Sequence, residues 1–392
     1  MSPAEWRASG TLAAVFALRM LGLFLMSPVF AIYATTLNGG DNPILVGIAL
    51  GMFSLVQAFF QIPLGIASDK FGRKPVIVAG LLLFAIGAVV CACSGSLNGI
   101  LIGRAIQGVG AISAAITALI ADATREQHRT KAMAMVGGSI GISFALAMVI
   151  SPLLYTAIGM PGMFEMTAVL ALAAIAVVLW VTPDAPAIHA TPVPLSSILR
   201  HRELMRLNFG VYVLHLAQMA MFVVLPGTLV KVAGLPIDQH WKVYLPVMLG
   251  SFVAMLPAII IGEKYNKMKP VFLFAISLLL IVQVGFWQLL AYPLAIYGLL
   301  FAFFIAFNIL EAAQPSLVSR TAPPASKGAA LGVYNTLQAL GMASGGALGG
   351  ILTRYATAPA IFALCAGMTV LWLVSACSMP ELARRAAAAP LA

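Results

Sequence analysis

Charged side chains are scarce in this sequence: Asp, Glu, Lys and Arg make up only 9% of its 392 residues. A soluble protein of this length carries about 25% charged residues, because its surface faces water. The chain is 61% hydrophobic, with a mean hydropathy of +1.02, so lipid must surround most of it. The composition excludes a soluble globular protein and predicts one that is embedded in a membrane.

Cysteine and histidine are also rare. The four cysteines lie within apolar segments, which favours small core residues over a disulfide or a metal site. A polytopic membrane enzyme would need clustered catalytic acids or histidines near one interface. The five histidines show no such spacing: they are His128, His189, His201, His215 and His240. We therefore expect no metal, no cofactor and no enzymatic activity.

Long apolar runs recur along the chain, and a helix needs about 20 apolar residues to cross the hydrocarbon core of a bilayer. The first run is too long for a signal peptide and no cleavage site of small residues follows it, so we expect it to be retained as a helix. The pattern predicts an all-α membrane protein with twelve transmembrane helices. We number these spans 1 to 12, at residues 11–36, 43–67, 75–95, 97–121, 131–157, 163–182, 205–231, 241–262, 270–291, 293–318, 328–353 and 358–379.

The basic residues indicate the orientation. With a cytoplasmic N-terminus, 17 of the 22 Lys and Arg residues face the cytoplasm, two lie inside spans and three face outward: Lys231, Lys242 and Arg354. By the positive-inside rule, both termini are cytoplasmic and the protein is a multi-pass component of a bacterial inner membrane. The net charge of +10 is dispersed between apolar spans, so we expect no nucleic-acid partner.

The chain also repeats itself at an offset of roughly 195 residues, as in transporters built from two parallel halves. Pro63 and Asp69 of span 2 correspond to Pro257 and Glu263 of span 8, and a proline-rich segment separates spans 6 and 7. The repeat predicts two six-helix pseudo-symmetric halves with a central site between them. Their predicted limits are an N-terminal bundle at 1–182, a cytoplasmic linker at 183–204 and a C-terminal bundle at 205–392.

The loop between spans 2 and 3 contains a dense group of glycine and charged residues. Gly65 permits close approach of a helix, and Gly72 permits a tight turn. The carboxylate of Asp69 can face the positive end of a neighbouring helix. The motif predicts a gate at the cytoplasmic side, although a basic loop that only sets topology is the alternative. Its residues are Gly65, Asp69, Lys70, Gly72, Arg73 and Lys74.

Two arginines lie inside spans, Arg19 in span 1 and Arg104 in span 4. An arginine in mid-membrane costs at least about 3 kcal/mol unless it is partnered or hydrated. We therefore expect both side chains to face a central cavity, with Gln107 one turn after Arg104 on the same face. For Arg104 the alternative is a side chain that extends to the outer interface.

The order and spacing of these motifs resemble the major facilitator superfamily across nearly the whole chain, and in particular the YajR-like group of its drug–proton antiporter branch. The loop after span 2 is similar to the signature loop of the superfamily, and the segment around Arg104 to its buried-arginine motif. Arg19, followed by Pro28, resembles the first-helix motif of the same branch. The resemblance implies a secondary active transporter that works by alternating access.

Three further expectations come from this resemblance alone. Asp69 would dock near the start of span 11, around Gly328, when the cytoplasmic side is closed. Arg73 would pair with Asp122 at the foot of span 4. Ser151 stands where the antiporter signature of span 5 has a glycine, so that signature is matched only in part.

Two other ionisable residues lie inside spans, His215 in span 7 and Glu311 in span 10. A carboxyl group in a lipid environment is tolerated when it is neutral or paired, and a histidine is neutral once it loses its proton. Each can therefore take up and release a proton as a cavity changes sides, whereas arginine cannot. A structural ion pair is the alternative for Glu311, and a hydrogen-bonded packing role is the alternative for His215.

The predicted cavity face is mostly apolar and aromatic. A sugar carrier would offer more polar groups, since each sugar hydroxyl removed from water needs a partner. We expect a monomer that exports small amphiphilic or hydrophobic compounds in exchange for protons. A carrier of a sugar or an anionic metabolite is the alternative, and a sensor with a transporter-like fold is another. Besides the two arginines, the predicted cavity residues are Gln107, Gln218, Phe222, Asn308, Asn335 and Gln338.

Overall fold

The computed structural model describes residues 1–110, 112–184, 195–265, 267–323 and 326–380. In these residues, ten helices are long and apolar enough to cross a membrane. One of them, the 51-residue helix Glu126–Ala176, contains spans 5 and 6, which meet at Gly159 with a φ of 67°. The helix Lys327–Tyr355 supplies span 11. The predicted all-α protein with twelve spans is confirmed.

The helices follow the predicted spans closely. In the first half they are Pro3–Phe24 and Phe30–Ala34 (span 1), Pro43–Phe71 (span 2), Arg73–Ala92 (span 3), Leu97–Val109 and Ser113–Ala123 (span 4), and Glu126–Ala176 with Val177–Val181 (spans 5 and 6). In the second half they are Arg202–Lys231 (span 7), Trp241–Lys264 (span 8), Met268–Leu289 (span 9), Pro293–Thr321 (span 10), Lys327–Tyr355 (span 11) and Ala360–Cys377 (span 12).

The predicted linker is only partly described. Span 7 begins at Arg202 rather than at residue 205, because the His201 side chain caps the helix by accepting from the Leu204 N–H at 3.4 Å. A short helix, Leu195–Leu199, precedes it. Residues 185–194 and the predicted C-terminal segment 381–392 lie outside the described residues. The division at 183–204 stays a prediction.

In each half, two basic side chains bind the carbonyls at the C-terminal end of the last helix. The final carbonyls of a helix have no intrahelical donor, and basic side chains near that end both donate to them and favour the helix dipole. An arginine of the first span and a lysine of the third span do this in each half. The four contacts are Arg7–Val181 (3.1 Å) and Lys74–Thr182 (2.7 Å), and Arg206–Ser378 (3.2 Å) and Lys269–Met379 (2.6 Å).

Span 1 is interrupted around Pro28, between the helices Pro3–Phe24 and Phe30–Ala34. Within this break, Val29 N–H donates to the Met26 carbonyl, so the Leu25 carbonyl lacks its helical donor. The hydroxyl of Ser151 in span 5 donates to that carbonyl at 2.5 Å. The serine that departs from the antiporter signature therefore satisfies a backbone group that the proline leaves exposed.

The two halves pack tightly at their outer ends, where spans 2 and 11 cross and contact each other at glycine residues. A Cβ added at Gly47 would lie 2.1 Å from the Gly346 carbonyl oxygen, and one at Gly350 would lie 2.3 Å from that of Pro43. Only glycine permits this approach of two backbones. The outer side of the molecule is thus closed between the halves.

The cytoplasmic ends of the same two spans are apart. A Cβ added at Gly328 or Gly332, in the first turns of span 11, would meet no atom of the described residues within 4 Å. In the loop after span 2, the Asp69 side chain is 60% exposed. The molecule is therefore in a state that is closed to the outside and open to the cytoplasm.

Candidate functional site

Arg104 is buried near the middle of the molecule, with 5% of its surface exposed. Its Nη1 donates to Gln107 Oε1 at 3.2 Å and to Met26 Sδ at 3.6 Å. The guanidinium also lies over the Phe53 ring, 5.2 Å from the centroid, which is a favourable cation–π geometry. The side chain therefore stays in the protein interior and does not extend to the outer interface.

Arg19 lies deeper within the first half and is completely buried. Its Nη2 donates to Gln57 Oε1 at 3.0 Å and its Nη1 to Ser113 Oγ at 3.3 Å. Its guanidinium is 5.6 Å from the centroids of Phe53 and Phe84. The Phe53 ring is thus shared by both arginines. Arg19 was predicted to line a cavity, but the structure places it inside the N-terminal bundle.

A small cavity of about 20 Å³ lies between the halves, with room for about one water molecule. Of the residues predicted to line a cavity, it includes Arg104, Gln218 and Phe222. Other contributors are Ser27, Ser54 and Phe144 from the first half and Met342 from the second. The lining is aromatic and apolar apart from Arg104 and these few polar side chains.

Phe144 of span 5 is one of the residues at this site that the sequence analysis did not identify. Its ring lies 6.3 Å from Phe222, 6.0 Å from Phe304 and 6.0 Å from Phe307, measured between centroids. These rings form an aromatic cluster that joins the two halves above the cavity. A single phenylalanine in an apolar span carries no signal that could distinguish it from a lipid-facing residue.

His215, Glu311 and Gln338 meet in the second half, although they come from spans 7, 10 and 11. His215 Nε2 lies 3.5 Å from Glu311 Oε2 and 2.7 Å from Gln338 Nε2. Gln338 Nε2 also donates to Glu311 Oε1 at 3.4 Å. His215 is fully buried, while the Glu311 side chain is 33% exposed. The two predicted proton carriers therefore form one cluster, which we call the proton cluster.

The hydrogen bonds of the proton cluster define the protonation of His215. Its Nδ1 lies 3.0 Å from the Val211 carbonyl oxygen, which can only accept, so Nδ1 carries a hydrogen. Its Nε2 faces the nitrogen of the Gln338 amide, and with the amide in this orientation Nε2 accepts and the imidazole is neutral. A second proton can bind only at Nε2. That proton faces Glu311 once the side-chain amide of Gln338 has rotated.

The remaining predicted cavity residues lie elsewhere. Asn308 of span 10 donates through Nδ2 to Ser251 Oγ of span 8 at 3.0 Å and thus links two helices of the second half. Asn335 is half-buried in the inner part of span 11. Gln107 is fully buried and serves as the acceptor for Arg104.

The loop motif after span 2 is organised around Arg73. The predicted pair with Asp122 is present, with 2.9 Å between Arg73 Nε and Asp122 Oδ2. Arg73 Nη1 also donates to Ser68 Oγ at 2.8 Å and forms an ion pair with Asp69. Asp69 does not contact Gly328, a contact that was expected only when the cytoplasmic side is closed.

The other residues of the motif have separate positions. Gly72 adopts a φ of 94°, which favours glycine and forms the tight turn that was expected. A Cβ at Gly65 would meet Ala114 of span 4 at 3.4 Å, an ordinary contact. Lys70 lies over the Phe71 ring at 5.4 Å. Lys74 pairs with Asp184 at 2.7 Å, in addition to its bond at the end of span 6.

Known proteins resemble this chain in sequence. The sequence profile described as Major Facilitator Superfamily matches residues 12–346. The chain is 44% identical over 388 residues to the inner membrane transport protein YajR of Escherichia coli, covering 97% of this chain and 85% of that protein. It is 27% identical over 386 residues to the multidrug resistance protein MdtH of Aeromonas salmonicida, covering 93% and 94%.

A solved structure also has this fold. A bacterial homologue of the human lysosomal transporter Spinster matches with a TM-score of 0.74 at 13% identity, covering 96% of each chain. The profile and the relatives show a membrane transporter of the inner membrane and not an enzyme, and the solved structure shows the same fold. The chain belongs to the Major Facilitator Superfamily.

Proposed function

We propose that this protein exports small amphiphilic or hydrophobic compounds in exchange for protons, by alternating access. The observation that carries the proposal is the proton cluster. It brings an acid and a base together inside the second half, where His215 and Glu311 are 3.5 Å apart. The sequence has no nucleotide-binding GxxxxGK(S/T) pattern, so the proton gradient is the energy source that the residues can use.

The net charge of the proton cluster depends on whether it holds a proton. With one proton to share, it is either a neutral pair or an ion pair, and both carry no net charge. Loss of that proton leaves a carboxylate next to a neutral imidazole. An isolated charge is costly inside a membrane protein. The cluster without its proton therefore favours a hydrated environment, and the cluster with its proton tolerates a dry one. The partly exposed Glu311 side chain provides the route by which the proton leaves to the cytoplasm.

Substrate class follows from the cavity lining. Aromatic side chains from both halves suit an apolar body, and the few polar groups are too sparse for a sugar. Relatives named multidrug resistance protein support export rather than uptake. We also propose that the protein functions as a monomer whose bundles, 1–182 and 205–392, rotate relative to each other about the site.

The proposal is tested by transport with an imposed pH gradient. Candidate substrates are first selected by thermal stabilisation of the purified protein and then loaded into proteoliposomes. An inward proton gradient is expected to drive substrate against its own gradient, and collapse of the pH difference should stop net movement. Transport that is indifferent to pH would contradict proton exchange, and a lack of counterflow would indicate a channel or a sensor.

The loop motif is proposed to be the cytoplasmic gate. In the present state, the Asp69 carboxylate pairs with Arg73 at an exposed site, and such pairs contribute little. In the cytoplasm-closed state, Asp69 would face the start of span 11. Asp69→Asn is therefore expected to disfavour the closed state by about 1 kcal/mol. The accessibility of a Gly332→Cys thiol to a cytoplasmic reagent should rise.

The matched control for the gate is Asp184→Asn, which removes another cytoplasmic carboxylate that pairs with a motif lysine. Its thiol accessibility should equal that of the parent protein. If Asp69→Asn and Arg73→Ala both leave the accessibility unchanged, the loop has no gating role and only sets topology.

A further inference from the structure

The cavity between the halves has one charged residue, Arg104, among its lining residues. Both protein hydrogen bonds of its guanidinium use Nη1, and both acceptors, Gln107 and Met26, are uncharged. Its Nη2 and Nε therefore make no hydrogen bond to the described part of the chain. A guanidinium presents its donors as a planar fork that fits the two oxygens of a carboxylate.

No carboxylate of the described chain lies within ion-pair distance of Arg104. Among the described residues, four arginines form ion pairs with Asp or Glu: Arg73, Arg125, Arg206 and Arg320. These four lie at the cytoplasmic edge, where water already stabilises charge. The most deeply buried arginines, by contrast, lack a carboxylate within 4.0 Å in the described ranges. A buried cation without a counter-ion is strongly unfavourable.

Arg19 is a second buried positive charge without a counter-ion among the described residues. It is completely buried and has only Gln57, Ser113 and aromatic rings around its guanidinium. Both arginines lie within 5.6 Å of the Phe53 ring. Two cations on one ring produce a positive potential that extends to the cavity through Arg104. Nothing on the cavity wall of the described chain offsets this potential.

We propose that the substrate supplies the missing charge: Arg104 binds an anionic headgroup, and the exporter selects amphiphilic anions of the carboxylate class. Phe144 and Phe222 line the same cavity and would contact the apolar body of such a compound. The cavity has room for about one water molecule in this state, so the two halves must separate there before the compound enters. The proton binds elsewhere, at the proton cluster in the second half. The inference rests on the proposed function, because it names the class of compound that this exporter carries.

The test uses three probes with the same aromatic body and different charge: naphthoate, naphthamide and naphthylmethylammonium. Thermal stabilisation of the purified full-length protein is measured with each probe at millimolar concentration. Naphthoate alone is expected to raise the melting temperature. Arg104→Gln should weaken naphthoate binding by about 10- to 100-fold, since a hydrogen bond to a charged group is lost.

Two more variants keep the test informative if Arg104→Gln does not fold. Gln218→Glu places a carboxylate on the wall of the same cavity and leaves Arg104 intact, so it should also weaken naphthoate binding. Arg354→Gln removes an exposed cation at the outer end of span 11 and should bind naphthoate like the parent protein.

The inference is overturned if the amide or the cation stabilises the protein as much as naphthoate does. It is also overturned if naphthoate has no effect, or if the folded Arg104→Gln or Gln218→Glu variant binds it as tightly as the parent protein does. Failure of the proposed function looks different. Proton-driven export of a cation would retain the function and refute the anion site, whereas naphthoate binding without response to a pH gradient would retain the site and refute proton exchange.

Discussion

Glu311→Gln is expected to abolish proton-driven export while leaving substrate counterflow intact. Glutamine has the shape of the protonated carboxyl group but can neither release a proton nor become charged. It also removes the negative charge that lies 3.5 Å from His215 Nε2, so the buried imidazole has no remaining reason to bind a second proton. Export in proteoliposomes with an imposed pH gradient should fall to the level of empty liposomes. Exchange of labelled for unlabelled substrate needs no proton and should continue.

Glu165→Gln is the matched control, because Glu165 is an exposed carboxylate in the helix of span 6. Its export should equal that of the parent protein. His215→Asn separates the two members of the proton cluster: it should block export only if the imidazole holds the moving proton. Full dependence of Glu311→Gln on an imposed pH gradient would show that the carboxylate is structural, and His215 would become the carrier.

The spans could be predicted from the sequence because hydropathy and charge both mark them. Each is an apolar run of about 20 residues, and the basic residues between the runs settle the orientation. The breaks inside spans were harder to place. Span 1 was predicted as one run, 11–36, whereas the structure interrupts it around Pro28. The donor for the Leu25 carbonyl in that break comes from Ser151 in another span. Such a contact depends on which helices are neighbours, which a single sequence does not encode locally.

The proton cluster could be predicted only in parts. His215 and Glu311 were recognisable as ionisable groups in apolar spans, and Gln338 as a polar residue of span 11. Their common location follows from the packing of three helices that are distant in the chain. Sequence reasoning treated His215 and Glu311 as rival carriers, whereas the structure brings them within 3.5 Å of each other.

Arg19 and Phe144 show why helix faces in membranes are difficult to assign. In a soluble protein, the apolar stripe of a helix identifies its buried face. In spans 1 and 5, apolar residues occur on all sides, because lipid and the protein interior favour the same residues. Arg19 was therefore placed in the cavity but lies within the bundle, and Phe144 lies at the cavity but was not identified.

Gly47→Ala is expected to shift the protein from the cytoplasm-open state to the outward-open state. The added Cβ would lie 2.1 Å from the Gly346 carbonyl oxygen, and this contact is between backbones that cannot turn away. Overpacking of this kind costs about 1–3 kcal/mol, which corresponds to a change of about 5- to 150-fold in the ratio of the two states. The outward-open state, in which the outer ends of spans 2 and 11 separate, escapes this penalty.

Distances between paired spin labels can measure the shift directly. One pair, Asp41→Cys with Thr357→Cys, reports the outer ends of spans 2 and 11, and the other, Lys70→Cys with Lys327→Cys, reports the cytoplasmic ends. Gly47→Ala should lengthen the first distance and shorten the second. Gly298→Ala is the control, since a Cβ there meets no atom of the described chain within 4 Å, and it should change neither distance. If Gly47→Ala leaves both distances unchanged, the glycine crossing is not a gate. The backbones of spans 2 and 11 would then have to lie farther apart than they do in this structure, because only a wider separation can accommodate the added carbon.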